Sequence, residues 1–335
     1  MKPLAVSMGD PAGIGLELAA RVWADPAAAP PFFLVGDAGA FERACGRLGL
    51  SAPALNIVED AASATADPAR LCVLHTPLAM EETPGAPDPV NANAIIAAIE
   101  RAAGAARSGA AAALVTLPIA KSVLHTAGFG FPGHTEFIAH LTAQDTWGGT
   151  RGPVMMLAGA SLKVALASIH TPLARVAGEL TRERIVATGR VVGEALRRDF
   201  GVRAPRIALC GLNPHAGEHG HIGLEEIEII NPAAAQLRAE GWDVGDARSA
   251  DALFHEQARA TYDAVIALYH DQGLIPIKTL HFWDAVNVTL GLPIVRTSPD
   301  HGTGFDIAGQ GVARAESFRA ALQMAWNMAA RRASA

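Results

Sequence analysis

The chain has 335 residues, half of them apolar and 18% charged, which excludes a disordered polypeptide. It is longer than one typical core of about 100–200 residues, so two domains or one large α/β unit is expected. Its 27 basic and 33 acidic residues give a net charge of −6, with no basic surplus that would point to nucleic acid. Cys45, Cys72 and Cys210 are widely spaced without a CxxC pair. That spacing excludes a disulfide scaffold and a Cys-rich zinc site, and it fits a reducing cytoplasm. No run reaches the ~18 apolar residues of a membrane span. The apolar stretch ahead of Asp10 is too short for a signal sequence.

Short apolar runs read as buried strands at Leu4–Ser7, Phe32–Val35 and Leu71–Leu74. A helix follows, with Ile95, Ile96, Ile99, Ala102, Ala103 and Ala106 at helical spacing. Asn91 is its expected cap, and Ser108-Gly109 its end. Further strands are expected at Ala112–Thr116, Val164–Ala167, Ile207–Cys210, Ala264–Leu268 and Ile294–Val295. Helical patterns cover Arg182–Arg198, Glu225–Glu240 and Glu316–Ala330. Strands alternating with helices predict an α/β fold with a largely parallel sheet.

Polar clusters follow these strands. Gly9-Asp10-Pro11 follows the first, His170 follows Val164–Ala167, and Asn213-Pro214-His215 follows Ile207–Cys210. His270-Asp271 follows Ala264–Leu268, and Arg296-Thr297 follows Ile294–Val295. Ligands of open α/β sheets bind beyond the carboxyl ends of strands, so three histidines placed there can meet in one cleft. Three imidazoles on a Zn²⁺ or Co²⁺ ion leave coordination positions open, which is the catalytic pattern. Most of the 12 histidines must be surface or hydrogen-bonded core residues instead. A rival trio is local: His215, His219 and His221. Its flanking glycines suggest a turn, and its spacing is not helical.

Five motifs occur in order: Met8-Gly9-Asp10-Pro11-Ala12-Gly13-Ile14-Gly15, Pro132-Gly133-His134-Thr135-Glu136-Phe137, Leu212-Asn213-Pro214-His215-Ala216-Gly217-Glu218, Tyr269-His270-Asp271-Gln272-Gly273 and Asp300-His301-Gly302-Thr303-Gly304. With them the chain resembles the 4-hydroxythreonine-4-phosphate dehydrogenase family of vitamin B6 biosynthesis, from about Leu4 to about Ala330. The resemblance implies two α/β/α domains with a cleft between them, as in isocitrate and isopropylmalate dehydrogenases. Residues 1–130 plus 285–335 would form the first, on the cofactor side. Residues 131–284 would form the second, carrying metal, substrate and dimer contacts. It further implies a homodimer whose active site includes both subunits, NAD or NADP, and one divalent metal (Zn, Mg or Co). The implied reaction oxidises 4-phosphooxy-L-threonine to 2-amino-3-oxo-4-phosphooxybutanoate, which loses CO₂ to give 3-amino-2-oxopropyl phosphate.

Carried over by motif, the resemblance makes His170, His215 and His270 the metal ligands. It makes His134, Thr135, Lys278, Asn287 and Arg296 the substrate contacts. A metal at the hydroxyl makes the alcohol a better acid, and a phosphate needs cationic or hydrogen-bonding groups. Thr135 is alternatively a helix cap, and a helix N-terminus itself favours phosphate. Asp251, Asp271 and Lys278 are the candidates for the general base, with Asp271 alternatively orienting a ligand histidine. Gly9–Gly15 lacks the GxGxxG spacing, so it reads as a tight strand-to-helix connection as readily as a ligand contact. Cofactor contacts are sought instead at His301, Gly302 and Asp306, in a stretch similar to the cofactor loop of isopropylmalate dehydrogenases.

Two segments depart from the family pattern: Gln144–Pro153, which is longer, and Ala247-Arg248-Ser249-Ala250, where a Gly-Pro-rich run is expected. Alternative substrates within the superfamily are threonate or erythronate phosphates and cis-dihydrodiol carboxylates. The retained phosphate-gripping residues argue against the last. A zinc-dependent hydrolase using the same histidines is a reading of another class.

Overall fold

The computed structural model describes residues 1–25, 29–67 and 69–334. Among the described residues there are twelve strands: β1 (Leu4–Ser7), β2 (Phe32–Gly36), β3 (Ala54–Val58), β4 (Arg70–His75), β5 (Leu114–Thr116), β6 (Val154–Ala158), β7 (Lys163–Leu166), β8 (Arg206–Cys210), β9 (Asp243–Arg248), β10 (Ala264–Ala267), β11 (Val286–Leu290) and β12 (Arg296–Pro299). The α-helices are α1 (Gly15–Trp23), α2 (Ala38–Arg47), α3 (Ala92–Arg107), α4 (Lys121–Thr126), α5 (His134–Leu141), α6 (Leu173–Glu179), α7 (Arg182–Arg198), α8 (Asn231–Ala239), α9 (Glu256–Arg259), α10 (His270–His281) and α11 (Glu316–Ser334). The fold is mixed α/β, as the alternating pattern predicts.

The chain forms two compact units. The first comprises Met1–Asp145 and Pro293–Ala330, and the second Thr146–Leu292 with the residues from Arg331 onward. The division falls at 145/146 and 292/293 rather than near 130 and 285. His134 and Thr135 therefore belong to the first unit, because α5 packs on α3. Residues 286–290 belong to the second, because β11 pairs along its length with β6.

The strands of the first unit run in the order β3-β4-β2-β1-β5-β12, and every pairing is parallel. β1 and β2 are buried at every position, as expected for parallel strands covered on both faces. Their β-branched and aromatic side chains suit that setting. The second unit has the order β11-β6-β7-β10-β8-β9, antiparallel at β11–β6 and β6–β7 and parallel elsewhere.

Four strands escape the periodicity reading: β3, β6, β9 and β11. β9 (Asp-Val-Gly-Asp-Ala-Arg) is too polar to signal a strand, because it has a neighbour on one side only. The expected strand at Ile294–Val295 is displaced to β12, so Arg296 lies on the strand and not beyond it. Asn91 precedes α3 but makes no side-chain cap; its amide instead exchanges two hydrogen bonds with the Met80 backbone, at 3.0 and 2.9 Å. The helix expected at Glu225–Glu240 divides into a π-helical turn at Glu226–Ile230 followed by α8.

α7 matches its expected span. Thr181 caps it by accepting from Arg184 N at 3.2 Å, and Ile185, Val192 and Leu196 lie on its buried face. At its C-terminus Asp199 is fully buried and accepts from Arg198 and Arg332. Trp147, from the long Gln144–Pro153 segment, lies over both guanidinium groups, with centroid distances of 4.3 and 5.2 Å. Burial opposes the Asp199 charge, but the two arginines outweigh it and hold the carboxyl below its ordinary range. A depressed folded-state pKa contributes stability that is present above the unfolded value and lost as pH falls through the folded one. Asp199→Ala should therefore destabilise the protein by about 3 kcal/mol at neutral pH, because it strands two partly buried cations. Denaturant melts of the two proteins should differ at pH 7, and the difference should shrink as pH falls below the ordinary aspartate range.

Candidate active site

In the first unit, β12 and β5 lie side by side and carry Arg296 and Thr116. Arg296 is 2% exposed, and its Nη2 donates to Thr116 Oγ1 at 2.7 Å. Burial lowers its pKa to about 10, partly offset by the Glu136 carboxylate. The guanidinium thus stays charged at neutral pH in a place that disfavours charge.

α5 begins beside it. Its N-cap is Gly133 and its first residue is His134, so Thr135 lies inside the first turn and is not the cap. Burial, then the positive charges of Arg296 and Lys121, push His134 well below its ordinary pKa, so the imidazole is neutral at pH 7. Its Nε2 is buried with no hydrogen-bond partner among the described residues. The first backbone N–H groups of a helix also lack intrahelical acceptors. Two cations, a neutral imidazole and a helix N-terminus converge here, which is the composition of an anion site. The sequence reading missed Lys121, which opens α4 just past β5. Its place after a strand was the available signal.

The segment with His301, Gly302 and Asp306 follows β12. Gly13 and Ile14 pack under it: Ile14 N donates to Thr303 O at 2.9 Å. A Cβ on Gly13 would stand 2.7 Å from that same oxygen. Glu17 accepts from Gly309 N further along. The glycine-rich stretch after β1 therefore supports the 301–309 loop, a packing role that needs no ligand. His301 Nδ1 lies 3.0 Å from Gly302 O, and Gly302 and Asp306 are exposed. Asp10 is buried beneath this region. Burial raises its pKa, and Oδ2 has no partner among the described residues.

In the second unit, β7, β10 and β8 are adjacent and parallel. Each chain exit carries one histidine: His170 after β7, His270 after β10 and His215 after β8. The rings of His170 and His270 stand 6.1 Å apart between centroids, inclined by 36°. His270 Nδ1 lies 2.6 Å from Asp271 Oδ1, an arrangement that fixes the ring and frees Nε2. Gln272 ties these exits together. Its Oε1 accepts from Leu268 N and its Nε2 donates to Gly211 O, both at 2.7 Å.

His215 sits in an unusual loop. His215, Ala216, Gly217, Glu218 and His219 all have left-handed backbone angles, with φ between 45° and 80°. Buried Glu226 holds the loop in place: one oxygen accepts from Leu212 N and Asn213 N at 2.7 and 2.8 Å, the other from Asn213 Nδ2 at 2.9 Å. A Cβ on Gly217 would meet that carboxylate at 2.7 Å, so the position requires glycine on two grounds. Glu226 was invisible to motif reading because it binds backbone, not ligand.

Among the described residues, no three His, Cys, Asp or Glu side chains stand together as a metal site. This applies equally to the local trio His215, His219 and His221. His170, His270 and His215 leave three neighbouring strands in the order β7-β10-β8. Two imidazoles on one zinc have centroids roughly 5 Å apart for Zn–N bonds of about 2.1 Å. The His170–His270 pair is about 1 Å wider than that, and imidazole nitrogens are the donor type that suits a divalent ion.

Asp251 lies near His215. The Ser249 hydroxyl, and in smaller part His215, hold its carboxyl below the ordinary range. Lys278 is half-buried on α10. Asn287 lies on β11, and its Oδ1 is buried without a partner among the described residues. The proposed substrate contacts thus divide, with His134, Thr135 and Arg296 in the first unit and Lys278 and Asn287 in the second.

Residues 28–325 match the family model for the pyridoxal phosphate biosynthetic protein PdxA. A 4-hydroxythreonine-4-phosphate dehydrogenase from Caulobacter vibrioides is 52% identical over 99% of this chain and 98% of its own. One from Maricaulis maris is 53% identical over 99% of both chains. A crystal structure of the 4-hydroxythreonine-4-phosphate dehydrogenase from Klebsiella pneumoniae superposes with a TM-score of 0.87 at 40% identity, covering 98% of each chain. The anion pocket and the strand-end histidines thus sit in a chain that belongs to the PdxA family of pyridoxal phosphate biosynthetic proteins, and it is a dehydrogenase.

Proposed function

We propose that the protein oxidises 4-phosphooxy-L-threonine to 2-amino-3-oxo-4-phosphooxybutanoate, which decarboxylates to 3-amino-2-oxopropyl phosphate, in pyridoxal phosphate biosynthesis. The observation that carries this reading is Arg296, a guanidinium 2% exposed beside a neutral imidazole and a helix N-terminus. A buried guanidinium, a neutral imidazole and free helix N–H groups are together the donors that a substrate phosphate needs.

Arg296 grips phosphate oxygens through its forked N–H groups, and His134 adds a neutral N–H. Thr135 and the first N–H groups of α5 complete the cradle. His170, His270 and His215 would hold the divalent ion, and nitrogen donors favour zinc or cobalt over magnesium. When bound, that ion supplies Lewis-acid stabilisation of negative charge on the reacting oxygen. NAD or NADP supplies the hydride acceptor, with His301, Gly302 and Asp306 as its proposed contacts. Asp251 and Lys278 are the proposed candidates for the acceptor of the alcohol proton, and the Ser249 hydroxyl holds the Asp251 carboxyl below its ordinary range. Asn287 directs its buried amide oxygen to a donor of the substrate, the amino group being the available one.

A homodimer with shared active sites is part of this proposal. It accounts for the apolar side chains Ile275, Leu280, Phe282 and Trp283 exposed on and after α10. No helix among the described residues is long and apolar enough to cross a membrane, and the three cysteines are free and buried, consistent with a cytoplasmic location.

The test is direct. Purified protein with zinc or cobalt and either dinucleotide should convert 4-phosphooxy-L-threonine with equal yields of reduced cofactor and CO₂. Faster turnover of threonate phosphate, erythronate phosphate or a cis-dihydrodiol carboxylate would replace this substrate. Hydrolytic products without dinucleotide consumption would replace the reaction class.

A further inference from the structure

We infer that Lys121 is a second cationic contact of the substrate phosphate and sets the preference for a phosphorylated over an unphosphorylated substrate. The inference rests on the phosphorylated-substrate reading above and adds to it a residue from a third element. Lys121 opens α4 and its side chain lies over Gly133, the N-cap of α5. A Cβ built on Gly133 would stand 3.2 Å from Lys121 Cε, 3.5 Å from Nζ and 3.7 Å from Glu136 Oε2. The absence of a side chain at Gly133 therefore lets the ammonium reach the mouth of the helix N-terminus. The field of Lys121 is felt at His134, as is that of Arg296, so both cations face the same imidazole. That imidazole has a buried, unpartnered Nε2.

The charge balance makes Lys121 decisive. Glu136 lies close enough to Arg296 to act on its charge. With Lys121 the group has two cations against one carboxylate. Without it, the guanidinium is offset by Glu136 and the pocket is close to neutral. A phosphate monoester carries about −1.5 to −2 charges at pH 7, so the excess positive charge is what it meets on entry. A neutral hydroxyl in the same place gains nothing from that charge. Lys121 is exposed, so its removal leaves no buried group stranded.

Lys121→Gln and Lys121→Arg should be compared with the wild-type holoenzyme. Inorganic phosphate binding is read by titration calorimetry, and KM and kcat are read with 4-phosphooxy-L-threonine and with 4-hydroxy-L-threonine. Lys121→Gln should weaken phosphate binding and raise the KM for the phosphorylated substrate by about 10- to 100-fold, the worth of one charge-assisted hydrogen bond. Its kcat should fall far less, and Lys121→Arg should restore most of the affinity. Rates with 4-hydroxy-L-threonine should not respond to the charge. Unchanged phosphate affinity in Lys121→Gln overturns the inference, as does wild-type protein that binds no phosphate. Phosphate binding that depends on Lys121, in an enzyme that ignores 4-phosphooxy-L-threonine, would keep this contact and remove the substrate named above.

Discussion

His270→Ala is expected to lower turnover by roughly 10³-fold or more, since a Lewis-acid contribution of several kcal/mol corresponds to that factor. The protein should still fold, because His270 is the first residue of α10 and only half-buried. Two readouts other than activity separate this from a structural effect. Bound zinc or cobalt, measured by elemental analysis after dialysis, should drop from near stoichiometric to near zero. Thermal unfolding in the presence of a chelator should be the same for the variant and the wild type. His170→Ala should behave alike, because its ring is the one that faces His270. A variant that keeps both metal and rate would remove the histidines from the chemistry.

Arg296→Met should show the opposite of ordinary core damage. Substrate phosphate affinity should fall by about 10³-fold, as expected on losing two charge-assisted hydrogen bonds. Stability should hold or rise. The guanidinium is disfavoured by burial, with a pKa lowered to about 10, so its charge costs folding energy at every pH below that value. An apolar side chain of similar length removes that cost, while the Thr116 hydroxyl loses a donor and Glu136 a nearby cation. A raised or unchanged unfolding midpoint together with a greatly raised KM supports this assignment. A large fall in the midpoint with normal KM would make Arg296 a structural residue.

Much of this was readable from residues alone, for identifiable reasons. Strands β1, β2, β4, β7, β8 and β10 are continuous apolar runs because both faces of a parallel sheet are covered, and such runs stand out in any sequence. The helix Arg182–Arg198 announces itself by its period. The exits of β7, β10 and β8 were found because polar residues directly after apolar runs mark the ligand edge of an α/β sheet. What stayed hidden depends on tertiary contact. β9 is a strand because β8 offers it partners, not because its side chains prefer one. Lys121 and Glu226 come near the motif residues only through folding. Nothing in the spacing of His170, His215 and His270 tells that the first and last would stand with ring centroids 6.1 Å apart, because a sequence does not state that β7 and β10 are neighbours.

The left-handed run at residues 215–219 has a bearing on how this protein responds to its ligands. Four of its five residues carry side chains, in a handedness that resists L-amino acids by about 1–2 kcal/mol each. That energy is spent when the chain folds, with Glu226 holding the result, and none of it is left to be found on ligand arrival. The loop is thus preorganised: the entropy of arranging its backbone has been settled at folding.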